Sequence, residues 1–291
     1  MLTFDLYVNA VISGILLGGF YAAVSIGLAI SFGLLGVPQV AHPAFLVLGG
    51  FGVIVLNRHG VDPLLAGILW VPAFFLFGWL VYSFYHRTFE RRGEDVDLRG
   101  IAFFFGVAFI VEISLSLYFG VDQQFVDAPY IGRSFRLGDF RFPYRMLVAC
   151  GGAIIISALL AIYLRWTFIG RAIQAVAQNQ LALQLVGVDP VQIKKIAFAM
   201  SMATTVVSGA LLAIVGPISP ELGRIYLGKV FAIVVLAGLG SIRGVLVAAV
   251  ILGVVESIVL AGLGTSWAPA VGFGILLMVL AIRPTGIFGR G

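Results

Sequence analysis

Three ionisable side chains sit inside long apolar runs: His42 in VAHPAF, Glu112 in IVEISLS and Glu256 in GVVESIV. A charge among apolar residues is costly, so such groups pair with each other, bond backbone carbonyls or face a water-filled path. For each carboxylate two roles stand open, a hydrogen bond inside a helical bundle or interface, or a place on a solute path. His42, just before Pro43, divides likewise between a helix terminus and the lining of a path. A proton relay would need several acids and histidines in sequence, and these three are far apart. The chain has no G-x-x-x-x-G-K-[ST] phosphate loop, so hydrolysis of ATP by that route is not expected of it. It also lacks H-E-x-x-H and G-x-S-x-G. His42, His59 and His86 lie in separate segments and do not form a metal set. Cys150 is alone, which excludes an intrachain disulfide. The pattern is that of a non-enzymatic chain without a metal or cofactor of its own.

The elements that carry these groups are almost wholly apolar. Of 291 residues, 61% are hydrophobic and 11% charged, with mean hydropathy +1.10. A soluble domain carries about 25% charged residues, so membrane lipid is the expected solvent. The net charge of +5 comes without a basic stripe interleaved with aromatics, which argues against a nucleic-acid partner. Only Asp5 precedes the first apolar run, so the charged start of a cleaved signal peptide is missing and the first span is expected to stay.

A bilayer-spanning helix needs about 20 apolar residues, which places spans at roughly 7–31, 39–57, 64–85, 100–119, 146–164, 196–216 and 267–282. Lys229 and Arg243 bracket 13 uncharged residues, short for a span. The fold expected is an all-α polytopic membrane protein, a single domain over 1–291 with about 8–9 transmembrane helices, some short or broken. Loop 86–99 carries Arg87, Arg91, Arg92 and Arg99, and loop 165–195 carries Arg165, Arg171, Lys194 and Lys195. Two spans separate these loops, so they share a side, joined by Arg283 and Arg290 if nine helices cross. The positive-inside rule places that side in the cytoplasm, with loop 120–145 and the N-terminus outside, although 120–145 also holds Arg133, Arg136, Arg141 and Arg145.

Two stretches break an apolar run with clustered glycines: 27–36 (GLAISFGLLG) and 237–244 (AGLGSIRG), the second containing Gly238 and Gly240. Paired broken segments mark transport sites in inverted-repeat folds, so the segments around 33–45 and 234–244 are expected to approach each other near the membrane centre, with His42 close to the conduit. Gly14 and Gly18 form a G-x-x-x-G, which by itself indicates only close helix packing. Segment 165–195 reads RWTFIGRAIQAVAQNQLALQLVGVDPVQIKK. Gly170 precedes a short helix expected over 171–186, Gly187 supplies its stop, and Asp189-Pro190 starts the next element. Ile173, Val176 and Leu183 make an apolar stripe on that helix. It has the form of a plain loop helix and equally of a docking element.

At this segment a likeness enters. GRAIQAVAQNQLALQLVGVD followed by KKIAFAMS resembles the cytoplasmic coupling loop of ABC importer permeases, most closely the branched-chain amino acid permease family in its shorter Liv-H type. GGFYAAVSIGLAISFGLLGVPQVAHPAF, VVLAGLGSIRGVLVAAVILGVVES and RPTGIFGR are similar to other segments of that family, in the same order. Where the family usually has Asn-Phe-Ala-His-Gly, this chain has Gln39-Val40-Ala41-His42-Pro43, and an acidic residue common in the coupling helix is replaced by the Gln178-Asn179-Gln180 stretch.

The resemblance implies a permease subunit in a bacterial inner membrane. Its partners would be a second homologous permease, two cytoplasmic ATPases that bind ATP and Mg, and a periplasmic solute-binding protein. The solutes implied are branched-chain or other amino acids, amides, urea or aromatic acids. The path would be lined by residues among Gln39, His42, Glu112, Gly238, Gly240 and Glu256. Coupling to the ATPases would use Gly170, Arg171, Ile173, Val176, Ala182, Leu183, Gly187 and Asp189. The alternative is a secondary transporter driven by an ion gradient, which needs acids or carbonyls at broken helices.

Overall fold

A computed structural model describes residues 2–93, 96–137, 140–283 and 285–289. Helix α1 (Leu2–Leu28) runs on into a π-helical turn (Ala29–Leu34). α2 (His42–Arg58), α3 (Pro63–Thr88), a 3-10 turn (Glu90–Arg92) and α4 (Val96–Phe119) follow. A hairpin of β1 (Ser134–Leu137) and β2 (Phe140–Pro143) pairs Ser134 with Pro143 and Leu137 with Phe140. Then come α5 (Tyr144–Trp166), α6 (Phe168–Gln178), α7 (Gln180–Leu185), α8 (Pro190–Val215), α9 (Leu222–Ala237), α10 (Ile242–Leu263) and α11 (Ala268–Ile282). Among the described residues, six helices are long and apolar enough to cross a membrane: Leu6–Leu34, α3, α4, α5, α8 and α10. α2 and Ala270–Ile282 are apolar but shorter, and α9 is also short. The chain is thus the all-α polytopic membrane protein expected from its composition.

α1 and α8 form the centre. Of their apolar windows 78% and 72% lie inside the protein, against 22% for both α3 and α4, which turn large side chains outward. Small residues allow this central packing. A Cβ added at Gly18 would lie 2.5 Å from Val250 Cα, and one at Gly14 would lie 2.6 Å from Val254 Cα. The G-x-x-x-G of α1 is therefore its contact face toward α10.

The two ends are stapled differently. At one end, Asn57 and Asp127 exchange hydrogen bonds of 2.9 and 2.8 Å, Arg58 Nη2 donates to Gln124 Oε1 at 2.7 Å, and Gln124 bridges Ile218. At the other, Lys194 pairs with Glu90, which joins loop 86–99 to loop 165–195 as the span count required. The 285–289 segment folds onto the end of α9, with Ile287 N donating to Leu236 O at 2.8 Å. Arg290 lies outside the described residues.

Two expectations are corrected. The helix anticipated over 171–186 is two helices. Thr167 caps α6 by accepting from Gly170 N at 2.9 Å, so the helix starts before Gly170. Asn179 takes an extended conformation (φ −156°, ψ 106°) and caps α7 by accepting from Ala182 N at 3.0 Å. A short polar side chain that can satisfy orphan donors breaks a helix at low cost. The second correction concerns 229–244. The residues between Lys229 and Arg243 are not a segment of their own: Lys229 lies within α9 and Arg243 in the first turn of the span α10, so they comprise the end of α9 and the turn into α10.

Candidate translocation and coupling sites

After the π-helical turn the chain runs without helix through residues 35–41 before α2 begins. Gly36, at φ +67°, takes the left-handed conformation that other residues avoid. This irregular stretch presents Gln39 and His42 to α1 and α8, where both are fully buried. His42 Nε2 lies 2.9 Å from Val24 O. A carbonyl only accepts, so Nε2 carries the proton; the Thr205 hydroxyl lies 3.3 Å from Nδ1 and donates its one proton to Ser201 O at 2.7 Å. Gln39 Nε2 donates to Met202 Sδ, and Ser201 Oγ donates to Gly27 O at 2.6 Å. Ser208 Oγ donates to Ala23 O at 2.7 Å. The hydroxyls of Ser201, Thr205 and Ser208 repeat along one face of α8, in SMATTVVS. That spacing stands in the sequence, but a hydroxyl in an apolar helix can satisfy itself on its own i−4 carbonyl, as Thr205 and Ser208 do, so spacing alone does not mark a site. The seam closes tightly around His42. A Cβ at Gly27 would lie 2.7 Å from its Cε1.

Glu256 is sealed as well. Its Oε1 accepts from Lys229 Nζ at 2.6 Å and its Oε2 from Tyr21 OH at 2.8 Å, while Lys229 Nζ also donates to Tyr21 OH at 2.9 Å. The ammonium sits 5.2 Å from the Tyr21 ring centre and 5.9 Å from that of Tyr226. This closed triangle ties α1, α9 and α10 together, and the side chains of Lys229 and Glu256 are only 15% and 5% exposed. Sequence reasoning missed Lys229 and Tyr21, since nothing in the spacing of α1, α9 and α10 pairs them.

Glu112 is different. It pairs with Arg224 across α4 and α9, and the Arg224 side chain is 65% exposed. Both residues line a small cleft with Val40, Ala44, Phe109 and Leu227. A larger cleft of about 410 Å³ lies between α2, α3 and α4, bordered by Phe51, Trp70, Phe74 and Phe119. Its lining carries no charged side chain, so it suits an acyl chain better than a polar solute. His42 borders neither cleft.

The two glycine-broken stretches do meet. A Cβ at Gly33 would lie 2.9 Å from Gly240 N. Gly238 and Gly240 both take φ +87° and turn the chain between α9 and α10, and the Gly289 backbone fills the space beside Gly238.

In the 165–195 segment, Gly187 (φ +81°) ends α7, and Asp189 caps α8 by accepting from Val191 N at 2.9 Å. Gly170 serves close approach instead of turning, since any Cβ there would strike the backbone of Tyr163 and Leu164. Ile173, Val176 and Leu183 are buried in this chain's own core with Ile193 and Phe198, so the stripe expected to meet a partner faces inward. An amphipathic helix buries its apolar stripe on the nearest apolar surface, here α5 and α8. Leu181, Leu185 and Val186 are left exposed, together with Arg171 and Ala182. At the same end of the bundle Glu90 accepts from Lys194, from Tyr82 OH at 2.7 Å and from His86 Nδ1 at 3.0 Å. Burial pushes the Glu90 carboxyl up, but these hydrogen bonds and the Lys194 charge outweigh it and hold it below the usual carboxylate range.

Comparison with known proteins completes the picture. The family model described as branched-chain amino acid transport system / permease component matches residues 10–281. The high-affinity branched-chain amino acid transport system permease protein LivH of Escherichia coli K12 is 28% identical, over 98% of this chain and 96% of its own. Its counterpart BraD of Pseudomonas aeruginosa is 25% identical over the same shares. A probable LivH permease of Methanocaldococcus jannaschii is 24% identical over 91% of this chain and 87% of its own. No solved structure matches. A match from end to end, on a chain with this membrane architecture, means that it belongs to the family of branched-chain amino acid transport system permease components.

Proposed function

We propose that this chain is a membrane-spanning permease subunit of an ATP-driven, binding-protein-dependent importer for branched-chain or related amino acids. The carrying observation is the family match over residues 10–281, with relatives named as permeases of high-affinity branched-chain amino acid transport. In this reading the chain forms the conduit with a second permease in a bacterial inner membrane. Two ATPases bind ATP and Mg, and a periplasmic protein delivers solute. Other amino acids, amides, urea and aromatic acids remain within the proposed range. The end bearing loops 86–99 and 165–195 faces the cytoplasm, supported by the cluster of Arg87, Arg91, Arg171, Lys194, Lys195 and Arg243 there.

Coupling runs through α6 and α7. Because Ile173, Val176 and Leu183 are committed to the core, the ATPase-facing residues are Arg171, Leu181, Leu185 and Val186. Gly170, Gly187 and Asp189 set the position of these helices. The ion-gradient alternative is weakened by the pairing of both membrane-depth acids with cations, Glu112 with Arg224 and Glu256 with Lys229.

The test is reconstitution. In lipid vesicles, ATP-dependent leucine uptake is expected only when both permeases, the ATPases and loaded binding protein are combined. Uptake by this chain alone, driven by a sodium or proton gradient, would overturn the reading. Cysteines at Leu181 and Leu185 are expected to cross-link to an ATPase subunit, and one at Ile173 is not.

A further inference from the structure

We propose that the α4–α9 cleft is the solute-facing wall of the conduit on this chain, and that Arg224 there receives the carboxylate of a zwitterionic amino acid, resting on Glu112 between passages. This deepens the importer reading and rests on it. The first argument is depth. Glu112 lies about two turns, roughly 10 Å, from the Phe119 end of α4. Gly223, next to Arg224, packs on Ala44, which is about four turns, roughly 20 Å, from the Arg58 end of α2. The hydrocarbon core is about 30 Å thick, so the pair stands well inside it. A guanidinium 65% exposed at that depth cannot face lipid without a large penalty. It must face water or protein.

The second argument is chemistry. Among the described residues Arg224 spends one terminal nitrogen on Glu112, whereas a guanidinium offers five N–H donors in a planar fork matched to a carboxylate. Glu112 is the complementary acceptor for an ammonium group. Val40, Ala44, Phe109 and Leu227 surround the pair with apolar surface for a hydrocarbon side chain. The ion pair is neutral overall and so is a zwitterion, so exchanging partners leaves no bare charge in the membrane. Exposed ion pairs are weak, so a solute can displace Glu112 and leave again, as conduction requires.

Cys150 is the chain's only cysteine, so Cys150→Ala provides a background for single cysteines. The full complex, with second permease, ATPases and binding protein, is reconstituted in lipid vesicles. Cysteines at Phe109 and Leu227 are expected to react with a small charged thiosulfonate reagent, and one at Ile155 on the outer face of α5 is not. If Phe109 and Leu227 are as unreactive as Ile155, or only cross-link to the second permease, the cleft is not conduit wall and the proposal fails. For Arg224 itself, Arg224→Gln is expected to lower leucine uptake at least tenfold in assembled complex. The charge swap Arg224→Glu with Glu112→Arg rebuilds the ion pair but puts the wrong sign before the carboxylate, so uptake is expected to stay at least tenfold down. Restoration by the swap would mean that the pair only holds α4 to α9, and would overturn the role of Arg224. Vesicles of wild-type complex that accumulate no amino acid count against the importer reading, while reactive cysteines in the same vesicles still uphold the conduit.

Discussion

Glu112 and Glu256 look alike on paper, each a lone carboxylate in an apolar helix near a serine. In the fold they part company. Glu256 is closed off with Lys229 and Tyr21, three groups that satisfy one another inside α1, α9 and α10. Glu112 meets an Arg224 that stays largely exposed. The difference shows that a charge at membrane depth can be spent in two ways. A fully paired, buried charge fixes helices relative to one another, and a loosely paired, open one is available to something passing by.

Breaking the sealed pair should have the largest effect. Lys229→Met leaves Glu256 buried without a cation, and removing one partner of a buried pair costs about 3–5 kcal/mol. Loss of folded protein from the membrane, or a sharp fall in thermal stability in detergent, is expected. Adding Glu256→Met removes the orphaned charge and should recover most of that loss, because an apolar replacement of both partners is often neutral. If the single variant is as stable as wild type, Glu256 is not sealed by Lys229.

The Glu90–Lys194 pair sits between these extremes and tests the comparison at the opposite end of the bundle. Glu90→Gln removes a charged acceptor shared by Lys194, Tyr82 and His86, a loss of about 1–3 kcal/mol. Since its carboxyl is held below the ordinary value near 4.3, its contribution is present above that pH and is lost as pH falls through the lower folded value. Melting temperature followed between pH 7 and 3 should drop more for wild type than for Glu90→Gln. Equal slopes would remove Glu90 from the account.

A smaller effect is expected at the break in the coupling segment. Asn179→Ala removes the cap of α7 and should cost about 1 kcal/mol, seen as faster proteolysis between α6 and α7. Smallest in stability is Arg224→Gln, at about 0–1 kcal/mol, as for exposed pairs generally. Its melting temperature should stay close to wild type even where uptake does not. A destabilisation as large as that of Lys229→Met would erase the distinction between the two carboxylates.

Much of the fold was legible because the bilayer imposes a length and a composition on each span. α3, α4 and α5 stand within a few residues of the stretches marked by their apolar runs and flanking charges, while α8 starts earlier than its apolar run, at Pro190, and carries Lys194 and Lys195 in its first turns. The glycine breaks were legible for a local reason, since Gly36, Gly187, Gly238 and Gly240 all take conformations that disfavour other residues. The coupling segment was half legible. Its glycine stop and Asp189-Pro190 restart were clear, but its start at Thr167 and break at Asn179 depend on side-chain caps that compete with helix continuation. The direction of its apolar stripe was not readable, because one helix periodicity serves equally to dock on a partner or on the chain's own α5 and α8.

The solvent, the approximate spans, the places where helices must stop and the family were all readable along the chain. All of these follow from local composition and from backbone angles. The partner that each charge received was set by the packing of helices against one another. Lys229 reaches Glu256 and Tyr21, Arg224 reaches Glu112, and Thr205 reaches His42, each across helices distant along the chain. Those pairings arise from the rotation and depth of whole helices, which are set by contacts such as Gly18 against Val250 and Gly33 against Gly240. Neighbouring residues carry no record of such contacts, because a helix can turn about its axis without altering its own hydrogen bonds.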